Sequence, residues 1–67
     1  MVKKAEIDAF LYDKNVPNNL KNRLESVMRR EYGCDVFELL SPEDEMVPRI
    51  NEAYLSIKKQ YNSNSSN

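Results

Sequence analysis

Apolar side chains recur in this chain at intervals of three and four residues. Leu20, Leu24, Val27 and Met28 stand at i, i+4, i+7 and i+8, and Met46, Ile50, Ala53, Tyr54, Ile57 and Tyr61 repeat the pattern. Such spacing gathers each set on one side of an α-helix, and no stretch alternates as a half-buried strand would. The chain is therefore expected to be all-α. Its 67 residues hold one domain, in the size range where a single apolar core is only marginally sufficient.

Local signals divide the chain further. Ile7, Phe10 and Leu11 predict a first helix over about 3–12, broken by Asp13-Lys14-Asn15. Pro17 suits the first turn of a second helix, over about 17–32, with Asn15 or Val16 at the cap. Gly33 is the only glycine, and it follows Tyr32 where a helix can end in a left-handed residue without steric cost. Asp35-Val36-Phe37-Glu38 has capping-box spacing and predicts a short helix near 35–40, buried on most sides.

Ser41-Pro42-Glu43-Asp44-Glu45 reads as a helix start: a hydroxyl cap, a proline, then carboxylates that the helix dipole favours. Pro48 conflicts with a helix running on from Pro42, because it has no N–H to give the Asp44 carbonyl. Two outcomes are open, a kink or an opening turn before a second start near Val47, and the last helix is placed over about 47–61. Residues 62–67 offer no apolar side chain to bury and are expected to be a disordered polar tail. The expected architecture is a small bundle of three main helices and a short one, in a single domain over 1–61.

Composition removes several kinds of chemistry. The chain has no His, one Cys and one Gly, so it cannot build a His-containing triad, a His/Cys zinc site or a glycine-rich phosphate cradle by itself. No catalysis, metal or cofactor is expected. Glu43, Asp44 and Glu45 are consecutive, and consecutive residues on a helix point about 100° apart, too divergent to converge on one ion. They are read instead as an acidic docking surface. Cys34 has no His to act as base and is expected to be a small, partly buried apolar residue.

Ten Lys and Arg oppose eleven Asp and Glu, for a net charge of −1, so no global charge draws the chain to nucleic acid or to an anionic membrane. No run approaches the roughly 20 apolar residues of a membrane span, and nothing near Met1 has the apolar core of a secretory signal. A cytoplasmic setting is the expectation.

Two surfaces stand out. Val47, Asn51 and Leu55 form a second, narrower stripe on the last helix, and with the off-stripe Tyr12 they predict a protein interface. A homodimer could place Asn51 against its copy, as a buried Asn sets register in a coiled coil. Asn18, Asn22, Arg29 and Arg30 are amides and guanidinium groups on the polar side of the second helix, the side-chain types that read base edges in a major groove. The leading expectation is a small non-catalytic interaction or regulatory module that binds another protein. The alternative is a helix-turn-helix-like DNA-binding regulator.

Overall fold

The computed structural model describes the backbone of residues 1–65 and the side chains of 1–63. Four helices follow in order: α1 (Lys4–Tyr12), α2 (Asn18–Tyr32), α3 (Cys34–Leu39) and α4 (Pro48–Ser65). The protein is an all-α bundle, as the apolar periodicity requires.

The two strong stripes make the centre of the core. Leu20, Leu24 and Met28 of α2 and Ile50, Tyr54 and Ile57 of α4 are buried against one another, with Ile7 and Phe10 of α1 closing the third side. The helices α2 and α4 run antiparallel. Tyr32, at the end of α2, receives the Val47 N–H on its hydroxyl at 2.9 Å, and Arg23 near its start bonds Gln60 at 2.7 Å. Helix α1 runs alongside α4 in the same direction, and the Phe10 ring meets Tyr54 and Tyr61 edge-on at 5.5 and 6.0 Å. Edge-on contact sets the positive rim of one ring against the negative face of the next.

The segment 41–47 departs most from expectation. It forms a turn and an extended stretch, and the last helix starts afresh at Pro48, the second of the two outcomes that Pro48 left open. Ser41 N–H donates to the Asp44 carboxylate at 2.7 Å, and Asp44 N–H returns a bond to the Ser41 carbonyl at 2.9 Å. Ser and Asp can satisfy a tight turn as well as a helix cap, and here they close a turn. Met46 is buried but belongs to this extended stretch rather than to the helical stripe.

That stretch anchors the N-terminus. Lys3 pairs with Glu45 as an isolated antiparallel bridge, and Met46 N–H reaches the Val2 carbonyl at 2.8 Å. The amide N–H of Val2 donates to Asn51 Oδ1 at 2.9 Å, and the Val2 side chain is buried. The first N–H groups of any helix lack partners within it. In α1 the amides of Lys4 and Ala5 find theirs in the Asp44 and Pro42 carbonyls, at 2.9 and 3.0 Å. The carboxylates of 43–45 thus lie beside the start of α1, not in the first turn of α4, which contains no acidic residue.

Other boundaries shift for local reasons. Pro17 is itself the N-cap of α2, with its carbonyl accepting from Leu20 and Lys21, and Asp13 Oδ1 accepts the Asn15 N–H at 2.9 Å in the preceding turn. Gly33 ends α2 and opens α3 at φ 76°, ψ 157°. Its N–H bonds the Arg29 carbonyl, and its own carbonyl accepts from Phe37. Helix α3 therefore begins at Cys34 without a side-chain cap, and the Asp35/Glu38 capping box does not form. Nor is α3 buried on most sides: it contains no buried residue, because only Phe37 and Leu40 turn toward the core.

At the other end α4 extends to Ser65, four residues past the expected stop. No Gly or Pro follows Tyr61 to end it. Of the tail expected to be disordered, 62–65 are thus helical, and residues 66 and 67 lie outside the described residues. Among the described residues, no helix is long and apolar enough to cross a membrane.

Candidate functional site

Between α1, α2 and α3 lies an open groove of about 490 Å³. Its position follows from the side chains that splay the three helices apart. On α1, Ile7 and Phe10 point into the core, which turns the next strip of surface, Lys4, Asp8 and Leu11, toward α2 and α3. On α2, Met28 reaches the groove from the edge of the core stripe. The short α3, brought round by Gly33, contributes Phe37. Leu11, Met28 and Phe37 make an apolar floor, and Tyr12 stands on the rim with 84% of its surface exposed.

The charges around this floor are of both signs. Lys4 pairs with Asp8 at 3.0 Å and holds its ammonium 5.0 Å from the centre of the Phe37 ring, linking α1 to α3. Arg29 pairs with Glu25 at 2.8 Å, one turn apart on α2. Lys21 and Glu38 add one further charge of each sign. Asn18 and Asn22 supply exposed amides along the α2 wall. No buried polar side-chain atom among the described residues lacks a hydrogen-bond partner, so the groove holds no stored, unpaired polar group. Among the described residues no set of three His, Cys, Asp or Glu is placed to hold a metal ion.

The residues singled out from the sequence are redistributed by the fold. Tyr12 does not join Val47, Asn51 and Leu55; it faces the groove beside Asn18, Asn22 and Arg29. Val47 is half-buried against the core, and the Asn51 side-chain oxygen already holds the Val2 amide. Leu55, 53% exposed, is left as the open member of that set. Arg30 parts from Asn18 and Arg29 and lies on the opposite flank of α2, facing α4. Cys34 is exposed on the groove wall rather than partly buried, and α3 starts two residues earlier than a cap at Asp35 would dictate.

The acidic segment divides in the same way. Asp44 serves its own turn, Glu43 pairs with Lys3 at 2.8 Å, and Glu45 supplies the backbone of the bridge to Lys3. Sequence reasoning missed the groove itself, since Leu11 and Phe37 are far apart in the chain and only the packing of α1 and α3 on α2 makes them a floor. It also missed the contact of Tyr32 with Val47, for which the sequence carries no local signal. Comparison with protein-family models, curated proteins and solved structures found no match to this chain.

Proposed function

We propose that this protein is a non-catalytic binding module that takes a segment of another protein into the groove between α1, α2 and α3. The observation that carries the reading is the groove's composition. A floor of half-buried Leu11 and Phe37 over the buried Met28, an exposed tyrosine at the rim and charges of both signs around it are the ingredients of a polypeptide site. Tyrosine offers a large, rigid contact area that loses little conformational freedom on binding. The absence of His from the sequence removes the commonest acid–base group, which favours binding over catalysis.

Duplex DNA is served less well by the same surface. Asn18, Asn22 and Arg29 share their groove with Asp8, Glu25 and Glu38, and Arg29 is already paired with Glu25. A phosphate backbone approaching α2 there would meet as many carboxylates as cations. Self-association through Val47, Asn51 and Leu55 has only Leu55 standing open of the three.

A photo-crosslinking residue placed at Tyr12 tests the reading in cells that make the protein. The expected result is one dominant protein adduct that is absent when the crosslinker is moved to Lys59 and lost when Phe37→Lys is added. Equal labelling from both positions, or no adduct at Tyr12, would refute it.

A further inference from the structure

Across the ridge of α2 that carries Asn22, a second and shallower trough of about 390 Å³ lies between α2 and α4. Val27, Ala53 and the edge of Ile57 form its floor, and the small side chains of Ser26 and Ser56 leave its walls low. Arg23 and Arg30 flank it, and no carboxylate lines it. They stand seven residues apart on α2, about two turns or roughly 10 Å along the axis.

The pairing of the arginines separates this place from the rest of the surface. The chain has four. Arg29 is paired with Glu25, and Arg49 approaches Glu31 at 3.8 Å. Arg23 bonds only the neutral amide of Gln60, and Arg30 has no ion pair or hydrogen bond among the described residues. The two guanidinium groups that lack a carboxylate are the two that border an apolar trough.

We propose that this trough docks an acidic helix of a partner protein. Its carboxylates, two turns apart, would pair with Arg23 and Arg30, and one apolar side chain between them would enter the floor of Val27, Ala53 and Ile57. Guanidinium forks bind carboxylates through two parallel hydrogen bonds, and the low walls at Ser26 and Ser56 let a helix backbone come close. A nucleic-acid backbone would satisfy the arginines but brings nothing for the apolar floor. The site lies on the other side of α2 from Tyr12, so it goes beyond the groove reading and does not depend on it.

The test titrates the isotope-labelled full chain with an alanine-based helical peptide carrying Glu at i, Leu at i+3 and Glu at i+7. Amide shifts are expected at Val27, Arg30, Ala53 and Ser56. Arg30→Glu should weaken binding about tenfold, and a peptide with Lys in place of only the Glu that faces residue 30 should recover it on that variant. Arg30 makes no bond that the fold needs, and a peptide with Gln in place of Glu gives the same comparison on the unmodified chain. Three results would overturn the proposal: no shifts at millimolar peptide, shifts confined to Tyr12 and Phe37, or tighter binding of a DNA duplex than of the peptide at the same residues.

Discussion

Replacing Gly33 by L-alanine should destabilise the fold through backbone conformation alone. Gly33 sits at φ 76°, ψ 157°, a region of dihedral space that is almost exclusively glycine's, and a Cβ built there meets no atom within 4 Å. Nothing is therefore crowded, and the whole penalty is the strain of an L-residue, about 1–3 kcal/mol. In a chain of this size each kcal/mol moves the melting point by about 4–8 °C, so Tm should fall by roughly 5–20 °C in a thermal melt followed by circular dichroism. Chirality supplies the control. At the same dihedrals D-alanine has the sterics of an L-residue near the extended region. Its backbone is less free than glycine's when unfolded, so the D-Ala protein, accessible by chemical synthesis, should be more stable than wild type by about 0.4–1 kcal/mol. An L-Ala protein as stable as wild type, or a D-Ala protein as unstable as the L-Ala one, would refute this account of the α2–α3 junction.

Tyr32→Phe removes the hydroxyl that accepts the part-buried Val47 N–H, and urea denaturation should show a loss of about 1–2 kcal/mol. Leu24→Ala empties a fully buried position between α2 and α4; with a cost of about 2–5 kcal/mol it should leave this small domain largely unfolded at 37 °C, read as lost amide dispersion in NMR. By contrast, Lys3→Ala breaks an ion pair whose side chains are 51% and 78% exposed, and stability should change by under about 1 kcal/mol, with a still smaller difference in high salt.

The helices that the sequence reveals most clearly are those whose evidence is local and repeated. Leu20, Leu24 and Met28 can share a face only on a helix, and Ile50, Ala53, Tyr54, Ile57 and Tyr61 likewise mark α4 as one. Segment 41–47 is different because its residues are equally suited to a cap and to a turn. The balance is decided by Lys4 and Ala5, nearly forty positions earlier, whose amides need the carbonyls of Asp44 and Pro42. The same limit applies to the groove. Tyr12, Asn18, Asn22 and Arg29 each stand out as unspent side chains, but that they face one another is a property of how α1 and α3 pack on α2. Arg23 and Arg30 can be placed on a basic face by counting residues, while the absence of a carboxylate partner can be seen only once α4 is in place.

The clasp formed by Val2 on Asn51 orders events during synthesis. Forty-nine positions separate the two residues, and the bridging contacts of Lys3 and Val2 also wait for Glu45 and Met46. As the chain emerges from a ribosome, α1 appears before α4 and at that point has neither the carbonyls that satisfy its opening amides nor the tyrosines that cover Phe10. A nine-residue helix is marginal in water without such partners. The earliest made of these four helices therefore gains its opening hydrogen bonds only when residues 42–46 are in place, and closing so long a stretch of chain carries an entropic cost.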